Sequence, residues 1–429
     1  MKAFRKVLFW THFGIGLLAG IFIAIMCATG AVLAFEDEIL ALADAKASRI
    51  EVVEGSEWMD LDELLKIAKE HDSEFVPTSI ETHQRPDRAW RLIAGRSDFK
   101  YIDPYTGEIW DTKTKGLKEF FMLNFRLHRW LAMTGDWRSV GKLANGIANL
   151  GFILLGITGL YLWFPKKLVW RLFKDNLFFN NKARKTTRNL NWHNVFGFWA
   201  LIPILIMSVT GTVYSFGWAR SLADQLLGER PSRQGTRIEN AQGTRSRPDF
   251  QDRFEIAQNW DADWRTIAIP LTQQGGNRGR SQQSQGDGGH SHSGGHSHGG
   301  GGHSHGGNGQ TQMAQEGHSH GGGSHGGGGG RRRGGGNSIS IKQDHVLFPE
   351  SPASVSIHPR NGAIVAESRV ADWTLKQKLR ASILGIHTGS VAGIPGKTIA
   401  FLGCVAGLVL VYTGFVLAIH RIRKMAKKN

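Results

Sequence analysis

Four apolar runs without a charged residue stand out from a largely polar chain: Phe13 to Phe35, Leu143 to Phe164, Val195 to Gly217 and Thr398 to Ile419. Each is about the 20 residues a helix needs to cross the hydrocarbon core of a bilayer, so the pattern predicts four transmembrane helices. The polar stretches between runs one and two, and between runs three and four, change period. Leu61, Leu64, Leu65 and Ala68 fall on one face of a helix over Leu61 to His71. Strand-like stretches follow at Thr78 to Glu81, Ala89 to Ala94 and Phe99 to Ile102, and Asp103-Pro104-Tyr105-Thr106-Gly107 is a turn into Glu108-Ile109-Trp110. Similar pieces recur at Trp264 to Leu271, Ser338 to Lys342, Ser354 to His358 and Ala363 to Glu367. The predicted fold class is membrane α-helical, a four-helix transmembrane bundle with two small α+β modules outside it.

The domain plan follows from these shifts in composition. Helix one occupies 8–35, module one 36–127, and 128–164 holds a histidine segment with helix two. A basic loop, 165–190, leads to helix three at 191–217. Module two spans 218–380, helix four with its own histidine segment 381–420, and the tail 421–429. The two halves repeat. Gly30 of Thr29-Gly30 follows His12 by 18 positions, and Gly211 of Thr210-Gly211 follows His193 by the same 18. His128 and His387 each precede a Gly-Lys pair (Gly141-Lys142, Gly396-Lys397) and then Thr158-Gly159 or Thr413-Gly414. Tyr101 to Ile109 resembles Ser356 to Ile364 in its Pro and Gly positions. An internal duplication explains all of these correspondences.

Charge sets the expected orientation. Lys2, Arg5 and Lys6 precede run one, and Lys166, Lys167, Arg171, Lys174, Lys182, Arg184, Lys185 and Arg188 follow run two. Arg421, Arg423, Lys424, Lys427 and Lys428 follow run four. Basic flanks stay cytoplasmic, so both termini are expected inside and both modules outside. The formal net charge of +16 is largely accounted for by these flanks and by Arg331-Arg332-Arg333, and requires no nucleic-acid partner. Ala41-Leu42-Ala43 imitates a signal-peptide cleavage site, but the run before it is long for a cleaved leader and three more follow. The two cysteines, Cys27 and Cys404, lie inside runs and read as packing residues.

An insertion at 273–337, rich in Gly, Ser and Gln, divides module two. Its composition predicts disorder. It carries His290, His292, His296, His298, His303, His305, His318, His320 and His325, whose His-x-His spacing suits weak accessory chelation of Zn, Ni or Cu.

The chemistry is expected at the four histidines of the membrane segments. An ionisable group against a span is costly without a partner or a task, and here the cost recurs at matched depths in both halves. His12 and His193 share the cytoplasmic level, His128 and His387 the outer one. Two facing imidazoles suit the two axial positions of a haem iron, giving two haems b, since no Cys-x-x-Cys-His exists for covalent attachment. The Thr-Gly pairs fall opposite the histidine levels, where small residues would admit a flat macrocycle or simply allow close helix packing. Arg129, Arg380 and Lys397 flank the outer histidines and are candidate propionate partners. His420 is read as a headgroup contact, and His71, His83, His345 and His358 as surface residues. Trp10, Trp130, Trp163, Trp192 and Trp218 are read mostly as interface anchors.

Thr11-His12 with Thr29-Gly30, Leu127 to Leu131 with Thr158 to Phe164, Trp192-His193 with Thr210-Gly211, His387 to Gly389 with Thr413-Gly414, and Asp103 to Gly107 together resemble the PepSY-associated transmembrane family. The resemblance spans nearly the whole chain except the histidine-rich insertion. It implies a multi-pass protein of the bacterial inner membrane with PepSY-like periplasmic modules. It further implies an oxidoreductase that takes electrons from a cytoplasmic reductant or quinol and reduces a ferric siderophore. No dinucleotide fingerprint is present, so the donor is expected to be separate. Two other readings compete: a metal-handling protein for Ni, Zn or Cu whose spans only anchor the tether, and a PepSY-type regulatory or inhibitory protein.

Overall fold

The computed structural model describes residues 2–52, 54–95, 98–165, 169–180, 182–231, 236–239, 241–243, 247–271, 337–343 and 353–427. The histidine-rich insertion with its nine candidate chelating histidines lies outside the described residues, as do His345, Lys166 and Lys167.

Helix α1 (Lys2–Leu33) continues almost directly into α2 (Glu36–Ala43). The chain then leaves the membrane segments for α3 (Leu61–His71) and strands β1 (Ser79–His83), β2 (Trp90–Ile93), β3 (Phe99–Ile102) and β4 (Ile109–Asp111). It returns through α4 (Lys115–Trp130) to α5 (Trp137–Trp163), and α6 (Trp170–Leu177) leads to α7 (Lys185–Trp199) and α8 (Leu201–Ser215). After α9 (Gly217–Leu227), the second polar segment forms β5 (Thr236–Arg237), α10 (Phe250–Trp260), β6 (Trp264–Pro270), β7 (Asn337–Gln343), β8 (Ala353–Ile357) and β9 (Ile364–Ser368). Helices α11 (Leu375–Ala381) and α12 (Ile383–Thr388) lead into α13 (Gly393–Ala426).

Among the described residues three stretches are long and apolar enough to cross a bilayer: Ala3–Ala43, Trp137–Trp163 and Ser390–Ala426. The third predicted span is instead two helices, α7 and α8, meeting at a 62° bend. Pro203 supplies the reason. Its ring has no N–H and would clash with the Trp199 carbonyl one turn earlier, so α7 ends at Trp199 and Pro203 takes a first-turn place in α8. Close packing uses small residues: Gly20 faces the Phe415 ring, Gly407 faces Cys27, and Gly403 faces Met207 and Pro203 at the bend. Large apolar side chains such as Leu18, Ile21, Ile202 and Leu402 point outward, as a lipid-contacting surface requires.

The two expected modules are one structure rather than two. Among the described residues nine strands form a single antiparallel sheet in the order β4-β3-β2-β1-β6-β7-β8-β9-β5. Its centre is the pairing of β1 with β6, Ser79 opposite Pro270 through His83 opposite Thr266. Each module's meander would leave its first strand as an exposed edge; pairing the two edges removes both. Ile80 and Leu92 join Ile267, Ile269, Ile339, Ile341, Val355 and Ile357 in one core. Leu61, Leu64 and Ala68 of α3, and Phe254 and Ala257 of α10, pack on that core. Each fully buried Leu or Ile contributes about 1.5–3 kcal/mol. Helix α3 is capped by Asp60 and α10 by a reciprocal Asp249–Asp252 box, so both helices begin at an aspartate N-cap. The matched turns also agree. Gly107 and Gly362 have φ 74° and 68°, and their N–H groups donate to Asp103 and His358 carbonyls at 2.9 and 3.1 Å. That left-handed backbone explains the shared glycine.

Candidate functional site: two histidine pairs in the helix bundle

Away from the sheet, His12 on α1 faces His193 on α7 with ring centroids 6.3 Å apart. His12 Nδ1 lies 2.9 Å from Thr158 Oγ1 on α5, and His193 Nδ1 lies 2.9 Å from Thr413 Oγ1 on α13. Each threonine hydroxyl has one proton, and it is already committed: Thr158 donates to the Leu154 carbonyl and Thr413 to the Val409 carbonyl, both at 2.7 Å. The hydroxyls therefore accept, and the imidazoles donate from Nδ1. That tautomer leaves the lone pair on Nε2.

Toward the sheet the arrangement repeats on different helices. His128, near the end of α4, and His387, near the end of α12, have ring centroids 6.2 Å apart. His128 Nδ1 lies 3.0 Å from Thr29 Oγ1, and His387 Nδ1 lies 3.1 Å from Thr210 Oγ1. Thr29 and Thr210 donate to the carbonyls of Ile25 and Ile206 at 2.6 and 2.7 Å. Here carbonyls assign the tautomer independently, because a carbonyl only accepts: Met26 O is 3.1 Å from His128 Nδ1 and Met207 O is 2.8 Å from His387 Nδ1. Asn145 of α5 donates to the His128 carbonyl at 2.5 Å. The chain reverses after α4 through Leu131 and Ala132, both left-handed at φ 57° and 55°, where the second repeat uses Gly389. Left-handed non-glycine residues cost roughly 1–2 kcal/mol each, which the packing of α4 on α5 has to offset.

The Thr-Gly pairs thus have a different use from the one expected. A Cβ on Gly159, Gly211 or Gly30 would stand 3.2, 3.2 or 3.3 Å from Cε1 of His12, His387 or His128, and on Gly414 3.7 Å from that of His193. The glycine admits the edge of the imidazole, and the preceding threonine holds its Nδ1. Threonine and glycine are one ring-seating unit, used four times. The sequence shows the threonines only as members of these pairs, with no contact of their own; their constant place before each glycine was the available signal. Seventeen residues separate His12 from Thr29 along α1, so the two levels are about 25 Å apart.

The flanking cations divide. Arg380 holds Asp224 at 2.6 Å and Lys397 holds Glu38 at 2.9 Å and Asp37 at 3.3 Å, so these two already have carboxylates, against the expectation that they await propionates. Arg129 lies 5.7 Å from the centroids of Phe125 and Trp130. His420 is exposed at the opposite end of α13 from His387. His71 is exposed and His358 partly so, whereas His83 is half-buried, and burial with Arg88 and Arg265 nearby pushes its pKa down to about 4. Trp163 is not an interface anchor: it is buried, stacked on Phe198 at 4.5 Å. Cys27 and Cys404 are free thiols. Among the described residues no group of three or more His, Cys, Asp or Glu side chains gathers as a metal site; the membrane histidines come in twos.

The family description "PepSY-associated TM region" matches residues 9–421. The chain belongs to that family, and it is a multi-pass membrane protein in contact with the lipid bilayer. Among curated proteins, none matches the sequence.

Proposed function

We propose that this member of the PepSY-associated TM region family is a di-haem b-type reductase of the bacterial inner membrane. In this reading α7 and α8 together make a fourth span, both termini are cytoplasmic, and the sheet is a periplasmic pair of fused PepSY modules. Electrons pass from a cytoplasmic reductant or quinol to a periplasmic ferric siderophore.

One observation carries the proposal: two histidine pairs at 6.3 and 6.2 Å, every ring held through Nδ1 with Nε2 left as the ligand nitrogen. Two metal–imidazole bonds of about 2 Å plus the half-widths of the rings come to about 6 Å. His12 with His193, and His128 with His387, would hold the irons. The Nδ1 hydrogen bonds fix ring orientation and raise the basicity of Nε2, as metal-bound imidazoles require. Haem bound between two such imidazoles would supply one-electron transfer. Of the flanking cations, Arg129 is the remaining propionate candidate. Hard oxygen donors hold ferric iron more tightly than ferrous, so a single electron loosens the chelate. The histidine-rich insertion is assigned weak accessory chelation of Zn, Ni or Cu.

The test is a visible spectrum of the purified membrane protein, oxidised and dithionite-reduced, with haem quantified per chain and reduction of a ferric hydroxamate followed by ferrous-iron capture. Two b-type haems per chain and chelate reduction are expected. A colourless protein from haem-replete cells would sink the proposal.

A further inference from the structure

The chain carries one sign of charge at the end of the bundle away from the sheet. The segments that run past the far-side histidines, 1–11, 164–192 and 421–429, hold sixteen lysines and arginines against a single acid, Asp175. Part of this charge sits on a built element. Helix α6 is clasped to its neighbours by asparagines: Asn176 donates to the carbonyl of Trp163, the last residue of α5, at 2.9 Å and accepts from Asn194 at 3.0 Å. Buried Asn191 donates to the Asp175 and Phe178 carbonyls at 2.6 and 3.0 Å, and the Trp199 indole donates to the Leu177 carbonyl at 3.0 Å. Phe173 packs on Trp163 with ring centroids 5.8 Å apart. These contacts hold α6 level with the end of a span, where hydrocarbon gives way to headgroups.

What the clasp leaves outward suits that boundary. Val169, Trp170, Phe178 and Phe179 are each more than half exposed. Between them Arg171 and Lys174 are also exposed, three residues apart and so on one side of the helix. Neither is ion-paired among the described residues. Arg184 and Lys185, exposed where α7 begins, add to the charge. Exposed aromatic rings lose free energy against water but gain it below a headgroup layer, and flanking cations add attraction to anionic lipid. An acidic soluble protein would meet the cations and leave the rings without an apolar medium.

We propose that α6 and the start of α7 form an interfacial binding site for anionic phospholipid. Its phosphate is taken by Arg171, Lys174 and the cations that open α7, and its acyl chains lie against Trp170, Phe178 and Phe179. The site does not depend on the haem reading. It reaches the far-side pair through α7, which carries the clasp residue Asn191 and, two positions on, His193.

Full-length protein in detergent is titrated with dioleoyl phosphatidylglycerol and, separately, with phosphatidylcholine of the same chains, and bound lipid is counted by native mass spectrometry. Wild type should hold phosphatidylglycerol about tenfold more tightly than phosphatidylcholine. Arg171→Gln with Lys174→Gln should remove most of that preference, and Trp170→Ser should weaken both lipids. The same charge change at the C-terminal end of α13, Lys424→Gln with Lys427→Gln, should leave the preference in place. A preference unchanged in the α6 variant would overturn the proposal, and so would an equal loss in the α13 variant, which would make the effect one of total charge. Binding of glycerophosphoglycerol, the headgroup without its chains, as tightly as the lipid would overturn it in favour of a free phosphate. Binding of polyglutamate at that affinity would overturn it in favour of an acidic protein.

Discussion

The far-side and sheet-side histidine pairs use the same ring-seating unit but hang from different parts of the molecule. His12 and His193 ride on α1 and α7, which belong to the bundle, and their acceptor threonines are on α5 and α13. His128 and His387 ride on α4 and α12, helices that return from the sheet, and only their threonines are inside the bundle. The far-side pair therefore depends on helix packing alone. The sheet-side pair depends also on how the extramembrane sheet places α4 and α12; at both levels a backbone carbonyl adds to the threonine, that of Leu155 or Leu410 at the far side and that of Met26 or Met207 at the sheet side. Near-equal ring spacing at the two levels, despite these different supports, shows that the Thr-Gly unit sets the geometry locally.

The largest effect should come from removing a ring. Under the proposed di-haem reading, His12→Ala or His193→Ala should cut haem from two per chain to one by losing the far-side haem, and His128→Ala or His387→Ala should lose the other, measured as pyridine haemochrome against protein. Loss of both haems from one substitution would mean that the levels are not independent.

Next, Trp90 is buried to 1% exposure in the sheet core, and Trp90→Ala should destabilise that region by about 3–5 kcal/mol. Heating this variant should release the sheet-side haem several degrees below the far-side one, followed by two-component absorbance melts. Simultaneous release would show that the sheet is not a separate support.

Threonine substitutions sharpen the comparison further. Thr158→Val and Thr413→Val remove the side-chain acceptor of a far-side ring and should weaken haem retention about tenfold or more. Thr29→Val and Thr210→Val should cost about as much, because each ring at either level keeps one backbone carbonyl, Leu155 and Leu410 at the far side and Met26 and Met207 at the sheet side. Clearly unequal losses at the two levels would show that the seating unit does not act alike in both.

The smallest effect is a pH dependence confined to the sheet side. Lys118 lies at the start of α4, its ammonium 3.1 Å from the centre of the Phe99 ring and without a hydrogen-bond partner. Burial lowers its pKa from 10.5 to about 8. The folded state thus binds this proton less tightly than the unfolded state, so stability is lost as pH falls through about 8 and regained as pH rises toward 10.5. Lys118→Met should flatten that rise in the sheet-side melt and leave the far-side melt as it was. A pH profile identical to wild type would exclude Lys118 as its source.

Most of the local structure was legible along the chain. The α3 helix and the strand starts follow from period and turn chemistry, and the matched Asp103 and His358 turns follow from the placement of Pro and Gly. Three features were not legible, each for a reason of distance. The bend at Ala200 depends on Pro203, which is compatible with a continuous apolar run until the ring meets the Trp199 carbonyl. The pairing of β1 with β6 joins residues nearly 200 positions apart, and the alternation of each strand fits an edge equally well. The carboxylate partners of Arg380 and Lys397 also come from distant segments, Asp224 and Asp37 with Glu38.

The sequence alone determined that this chain has apolar spans, that it is duplicated, and that histidines and Thr-Gly pairs recur at matched depths, because hydrophobic length, helical rise and residue spacing are properties of the chain itself. The tertiary structure decided which threonine holds which ring, that glycine makes room for an imidazole edge, and that two meanders share one sheet. Those relations join segments far apart in the chain, and hydrogen-bond direction and van der Waals distance exist only once the segments meet.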